Sequence, residues 1–302
     1  MIVTVTPNPA VDYTVTLAAE PAPGEVLRTD RTRYDAGGKG INVSKYLDAL
    51  GRETLATGFL GGFVGEHLET QLASAGLPAS FVDIDETTRL NTTLLAPDAE
   101  YKINQTGPTI DAAAIESLLG TLCERDPETV LVAGSLPPGI DTATVDRIAT
   151  AGEWKTVVDL GGDVLGELSA GYALCKPNRV ELEEATGRSV DSVDSAIAAA
   201  RSLRDRGFER VVASLGSEGA ILVSDDRAVH APALDVEVVD TVGAGDALLS
   251  GVLGGFARGE TDEEALRTGV AVATRVVGVS GTRVPSLGDV RETRERVSVV
   301  PR

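Results

Sequence analysis

The hydrophobic pattern divides this chain into two kinds of stretch. Ile2–Thr6 alternates β-branched residues and stops at Pro7-Asn8-Pro9, which predicts a strand running into a turn. Residues 12–18 and 26–34 alternate in the same way. So do 80–84, 90–95 and 100–104, with no helical stretch between them. Residues 42–50 instead place Val43, Tyr46, Leu47 and Leu50 on one helical face before Gly51. A strand at 54–60 and a helix over 66–75, stopped by Gly76, follow. From Asp111 the pattern becomes regular. Apolar strands at 129–134, 156–160, 172–175, 210–214 and 220–223 alternate with helices near 111–124, 142–151, 178–186, 192–207, 244–258 and 261–278, and 236–239 reads as a further strand. Apolar runs separated by amphipathic helices predict a parallel sheet covered on both faces.

The expected fold class is therefore α/β: a doubly wound, mostly parallel sheet flanked by helices, in one domain spanning residues 1–302. A small β-sheet is expected from two insertions, about 11–35 and 80–106. A small sheet laid over an α/β core points to a lid that closes on substrate. Its exposed strand edges favour a two-fold partner, hence a homodimer through the lid.

Composition changes the picture in two ways. Apolar residues make up 42% of the chain but aromatics only 4%, so the core must be built from Val, Leu, Ala and Ile. The 46 acids against 27 bases leave a formal charge of −19. That argues against nucleic acid or an anionic membrane as partner, because binding phosphate surfaces needs basic residues. The acids are spread along a globular composition, so they do not mark a disordered tail. A surface tuned for solubility is one reading. A halophilic protein in a high-salt cytoplasm, where screening relieves self-repulsion, is the other. Cys123 and Cys175 lack metal spacing and read as reduced thiols. The N-terminal MIVTVTPNPAVD has neither a basic nor an apolar leader region, and no apolar run approaches a membrane span. A cytoplasmic protein is expected.

The strongest candidate chemistry is the run Asp240-Thr241-Val242-Gly243-Ala244-Gly245-Asp246 ahead of an apolar helix. Glycines there let the backbone turn and point several N–H groups at an anion. A carboxylate at that place can take a proton from a hydroxyl attacking a phosphoryl group. An ordinary helix cap would also explain Asp246 taken alone. Ser214-Leu215-Gly216-Ser217-Glu218-Gly219 forms a second glycine turn, a hairpin that can also touch a nucleotide. Gly37-Gly38-Lys39-Gly40-Ile41-Asn42 fails the Walker A spacing, yet Lys39 suits a phosphate and Asn42 a diol. Gly37 and Gly38 would let sugar hydroxyls meet the backbone. Asp12, just past the Pro-Asn-Pro turn, could hold sugar hydroxyls, and Arg28 and Arg89 in the insertions could pin a phosphate. Asn178 and Glu181, three apart at a helix start, suit hydrated Mg²⁺ or an ordinary capping box. No G-x-G-x-x-G occurs, which weakens a dinucleotide-dependent oxidoreductase.

Together these runs resemble the ribokinase-like carbohydrate kinases of the phosphofructokinase B type, most closely the 1-phosphofructokinase and tagatose-6-phosphate kinase branch. The matching runs are TVTPNPAVD (4–12), AGGKGINVSKYLDALG (36–51), GFLGG (58–62), TRLNTTL (88–94), AGSLPPGI (133–140), KPNRVELE (176–183), SLGSEGA (214–220) and DTVGAGD (240–246). The resemblance implies a ribokinase-like fold and an enzyme using ATP and Mg²⁺ on a sugar phosphate. It implies Asp246 as base with the Gly243, Ala244 and Gly245 amides as anion hole. Lys176, Asn178, Ser214, Gly216, Gly219 and Thr241 become nucleotide contacts, and Asn178 and Glu181 a water-linked metal pair. Asp12, Gly37, Gly38, Lys39, Asn42, Arg89 and Ser135 become substrate contacts, with Asn104 at a polar position of less defined role. Some relatives bind K⁺ near the DTxGAGD turn, which here would involve Asp240. The expected reaction is phosphorylation of fructose 1-phosphate at C6 to fructose 1,6-bisphosphate. Fructose 6-phosphate and tagatose 6-phosphate are the alternative acceptors, and a non-catalytic sugar-phosphate sensor is the remote one.

Overall fold

The computed structural model describes residues 1–225, 227–279, 284–288 and 290–302. Its elements run β1 (Ile2–Thr6), β2 (Ala10–Thr16), β3 (Thr32–Gly37), α1 (Lys39–Ala49), β4 (Thr54–Leu60), α2 (Gly62–Ser74), β5 (Val82–Asp83), β6 (Arg89–Leu95) and β7 (Glu100–Ile103). Then come α3 (Ala112–Arg125), β8 (Thr129–Ala133), α4 (Thr142–Thr150), β9 (Lys155–Asp159), α5 (Gly162–Glu167), β10 (Leu174–Cys175), α6 (Arg179–Thr186) and α7 (Val193–Arg204). The chain ends with β11 (Val211–Ser214), β12 (Ala220–Val223), β13 (Ala228–Ala231), α8 (Ala244–Phe256), α9 (Asp262–Val276), α10 (Val290–Arg296) and β14 (Val300–Pro301).

Ten strands form one sheet in the order β14-β13-β12-β11-β10-β9-β8-β1-β4-β5. Strands β5 to β11 of that order pair in parallel, and β11 to β14 continue it antiparallel. The alternation along each strand sends side chains to two separate cores. Val3, Val5, Val130, Val132 and Val158 pack with α3, α4, α6 and α7. Ile2, Leu131, Ala133 and Val157 pack with α1, α8 and α9 on the other face. Between β1 and β8 the strand order reverses its direction of growth. In open α/β sheets a ligand crevice opens there, at the carboxyl ends of the strands. A separate four-stranded sheet, β3-β2-β6-β7, stands beside these ends.

Three expectations need correction. The strand expected over 26–34 begins only at Thr32 and runs on to Gly37, where it pairs with β2. Val26 and Leu27 alternate correctly but remain exposed, with no strand to meet them. Residues 80–84 supply only Val82–Asp83, which joins β4 on the main sheet rather than the small one. Residues 236–239 join no sheet; Val239 and Asp240 instead donate their N–H groups to the Val277 carbonyl at the end of α9. Val238 and Val239 are accordingly exposed. Strands β13 and β14 and helices α5 and α10 are short and carried no clear periodic signal. Among the described residues no helix is long and apolar enough to cross a membrane.

Candidate active site

Two helix N-termini converge above the carboxyl ends of the sheet. Helix α1 starts at Lys39 after Gly38 (φ 130°), and α8 starts at Ala244 after Gly243 (φ 78°). Side chains rarely adopt these backbone angles, so glycine is required at both caps. Neither cap residue has a side chain to satisfy the first N–H groups. In α1 the Ile41 N–H is taken by Thr6 Oγ1 at 3.0 Å. The first turn of α8 has no side-chain cap bond; its Ala244 N–H donates to the Thr241 carbonyl at 3.2 Å, and the N–H groups that follow are suited to an anion.

Asp246 lies in that first turn and is buried. Asn42, one turn into α1, donates its Nδ2 to Asp246 Oδ2 at 2.9 Å. Burial pushes the Asp246 carboxyl up to about 6, and the nearby negative charge of Asp159 adds to the rise. The Asn42 hydrogen bond and the Lys176 and Lys39 charges pull the other way. The result is a carboxylate ionised at neutral pH yet basic enough to accept a proton.

Beside it lies an alternating set of charges. Asp159, at the end of β9, is fully buried. Its Oδ1 accepts from Lys39 Nζ at 2.8 Å, while Lys176 Nζ lies 3.2 Å from Oδ2. Lys39 Nζ also lies 3.5 Å from Glu181 Oε1. Burial works against the charged form of Lys39, but Asp159, Glu181 and Asp246 outweigh it and hold the ammonium well above its ordinary value. Lys176 faces the glycine turn: a Cβ on Gly245 would sit 3.3 Å from its Nζ.

On the small-sheet side, Asn91 Nδ2 donates to Asp12 Oδ1 at 3.0 Å, across the β2–β6 pair. Gly37 is needed where β3 passes Asp12, because a Cβ there would lie 2.2 Å from Asp12 Oδ2. Burial raises the Asp12 carboxyl, against the Asn91 hydrogen bond and the charges of Arg89 and Lys45. Arg89 donates from Nη2 and Nε to the Asn8 carbonyl at 2.8 and 3.2 Å. Asn8 in turn donates to Thr106 O at 2.9 Å and to Ser135 Oγ at 3.1 Å. Arg89 and Ser135 are thus linked to the Pro-Asn-Pro turn.

On the other side, Asn178 and Glu181 form the capping box of α6. Asn178 Oδ1 accepts from the Glu181 N–H at 2.9 Å, and Glu181 Oε2 accepts from the Asn178 N–H at 2.7 Å. Ser214 donates its N–H to the Pro177 carbonyl at 3.1 Å, which brings the end of β11 beside this cap. Gly216 and Gly219 frame the β11–β12 hairpin, and Thr241 is exposed just before α8. Arg28 and Asn104 lie exposed on coil, outside the hydrogen bonds and ion pairs that join the other residues.

Asp159, Asn8 and Asn91 were missed from the sequence. An acid closing the apolar run Thr156-Val157-Val158-Asp159 was the available signal for the first. The other two acquire meaning only from cross-strand and loop contacts.

A buried carboxylate at an open helix N-terminus, with lysines beside it at the carboxyl ends of a parallel sheet, suits phosphoryl transfer, and the enzyme is a sugar kinase. The chain belongs to the pfkB family of carbohydrate kinases, whose sequence profile matches residues 5–287. It is 54% identical over 299 residues to a 1-phosphofructokinase of Haloferax volcanii, covering 99% of this chain and 98% of that one. The fold superposes on the phosphofructokinase-2 of Escherichia coli in complex with fructose-6-phosphate with a TM-score of 0.88, at 26% identity and 98% coverage of both chains. The potassium complex of that Escherichia coli protein gives 0.90 at 27% identity, again covering 98% of each chain.

Proposed function

We propose that this kinase transfers the γ-phosphoryl group of ATP to the C6 hydroxyl of fructose 1-phosphate. The observation that carries the reading is the Asn42–Asp246 contact, which fixes a base of raised pKa one helical turn from Lys39. An ammonium and a buried carboxylate so close together support a phosphate contact and a proton acceptor in one crevice. The identity of 54% to a 1-phosphofructokinase supports the choice of acceptor.

Asp246 takes the C6 hydroxyl proton as the oxygen attacks the γ-phosphorus. The bond to the β,γ-bridging oxygen breaks and ADP leaves with its electron pair. The Gly243, Ala244 and Gly245 amides and Lys176 face the charge that develops. Asp12, Gly37, Gly38 and Asn42 hold sugar hydroxyls, and Lys39 and Arg89 hold the 1-phosphate. Arg28, Asn104 and Ser135 complete that side when the small sheet closes as a lid. Asn178, Ser214, Gly216, Gly219 and Thr241 line the nucleotide side.

Magnesium fits these residues. Among the described residues no group of three His, Cys, Asp or Glu could cage an ion. Mg²⁺ asks for less, since it keeps most of its waters and takes one or two carboxylates. Glu181 Oε1, with the fully buried Asp159 behind it, supplies them through water. Bound with ATP, the ion would offset charge on the β- and γ-phosphates.

The decisive test is ADP release across fructose 1-phosphate, fructose 6-phosphate, tagatose 6-phosphate and free fructose. Fructose 1-phosphate is expected to lead in kcat/KM by at least about tenfold. Turnover of only unphosphorylated sugars or nucleosides would remove the Lys39 argument. Binding without any turnover would favour the sugar-phosphate sensor.

The same reading includes a cytoplasmic homodimer paired through the lid, where Tyr34, Tyr101 and Ile103 are exposed on the edge strands β3 and β7. Light scattering at twice the chain mass is the expected result. With a formal charge of −19, self-repulsion is relieved when the screening length falls from about 10 Å at 0.1 M salt to about 3 Å at 1 M. Scanning calorimetry should then show Tm rising by roughly 5 °C over that range. An equal rise in NaCl marks screening and a rise in KCl alone marks a K⁺ site near Asp240. No rise in either salt removes the halophilic reading.

A further inference from the structure

Lys39 stands away from the role just given to it. Its ammonium spans Asp159 Oδ1 and Glu181 Oε1, at 2.8 and 3.5 Å. Those are the oxygens best placed to face a hydrated divalent ion. We propose that Lys39 occupies the cation position in the unliganded protein, and that the acceptor's phosphate draws it away and opens that position to the metal–nucleotide. The inference rests on the kinase reading above.

Charge supports the exchange. With Lys39 in place, three acids (Asp159, Glu181 and Asp246) face two lysines. With Lys39 drawn to a phosphate, the three acids face Lys176 alone, and the deficit is two positive charges. A divalent cation fills it.

The contacts allow it too. Asp159 is fully buried, and its Oδ2 has no hydrogen bond of good geometry, although Lys176 Nζ lies 3.2 Å away. Departure of Lys39 therefore leaves Asp159 an ion pair and an open acceptor. Glu181 keeps Oε2 on the Asn178 N–H, so its carboxylate stays oriented when Lys39 leaves Oε1. The Lys39 side chain is 35% exposed, whereas those of Asp159 and Glu181 are 0% and 15%. The mobile partner is thus the one at the crevice surface, on a flexible four-carbon stem.

Lys39 then becomes a specificity determinant as well as a phosphate contact. A sugar without phosphate leaves the ammonium across the acids and the metal–nucleotide weakly bound. A phosphosugar removes it, so acceptor and metal–nucleotide strengthen one another by the same factor.

The test is calorimetric titration of the full chain with Mg·AMP-PNP, which binds without turnover. In the unsubstituted protein, saturating fructose 1-phosphate should tighten Mg·AMP-PNP about tenfold, within the usual range of such couplings. Fructose should leave it unchanged. In Lys39→Met, Mg·AMP-PNP should bind about tenfold tighter than in the unsubstituted protein without any sugar, and fructose 1-phosphate should add nothing. AMP-PNP with EDTA should bind both proteins alike. Weaker Mg·AMP-PNP binding by Lys39→Met, or coupling that survives in it, overturns the inference. If that variant does not fold, the comparison of fructose 1-phosphate with fructose decides alone. Turnover of fructose 1-phosphate with no coupling sinks the inference and leaves the kinase reading standing. Failure of every phosphosugar to release ADP sinks both.

Discussion

Asp246→Asn should lose at least about 10³-fold in kcat, within the range that removal of a general base costs. The nucleotide Kd should stay within about twofold, because the Gly243–Gly245 amides and Lys176 are untouched. A variant keeping a tenth of the activity would take the base role away from Asp246. The pH profile gives a second reading of the same group. The active form is the carboxylate and its pKa is pushed up to about 6, so kcat/KM should fall tenfold per unit below that pH. Stability runs the opposite way. In the unfolded chain the group titrates near its ordinary value of 3.8, whereas the folded site raises it. This residue therefore destabilises the fold progressively as pH rises from about 4 to above 6, and the penalty is complete at pH 8. The difference is on the order of 3 kcal/mol. Asp246→Asn should accordingly raise Tm at pH 8 and leave it nearly unchanged at pH 4. An inactive variant with no such gain would mean that burial does not strain this carboxylate.

The largest loss of stability should come from Asp159. Removing it leaves Lys176, 3% exposed, without its closest acid, and costs about 3–5 kcal/mol in unfolding free energy. Urea denaturation of Asp159→Ala measures this. The double variant Asp159→Leu with Lys176→Met should recover most of the loss, since breaking a buried pair costs more than replacing it with apolar residues. A single variant within 1 kcal/mol of the parent would show that water reaches this pair. There is a kinetic counterpart. Asp159 is the charged neighbour that raises the Asp246 carboxyl, so Asp159→Asn should move the acidic limb of the pH profile below 6.

Much of this molecule is legible along the chain where periodicity is strong. The parallel strands β1, β8 and β9 and the helices α3, α8 and α9 follow directly from apolar spacing. Glycine turns before α1 and α8 marked the site, because only glycine tolerates the backbone angles of Gly38 and Gly243. Legibility stops where a residue's meaning depends on a distant partner. Val238 and Val239 have strand propensity, but a carbonyl at the end of α9 takes the backbone that a sheet would have used. Arg28 sits on a segment that could have paired and did not. Asn178 and Glu181 show the reverse problem. Both the capping and the metal readings use the same spacing, and the capping box engages only one oxygen of Glu181.

The bond between Asn42 and Asp246 joins positions 204 residues apart. A chain emerging from the ribosome carries β1, α1, β4 and β8 long before it carries Asp246. Until α8 and α9 are made, the face of the sheet that bears Ile2, Leu131, Ala133 and Val157 has no helical cover from them. A chain cut before α8 therefore loses Asp246 and half of one core together.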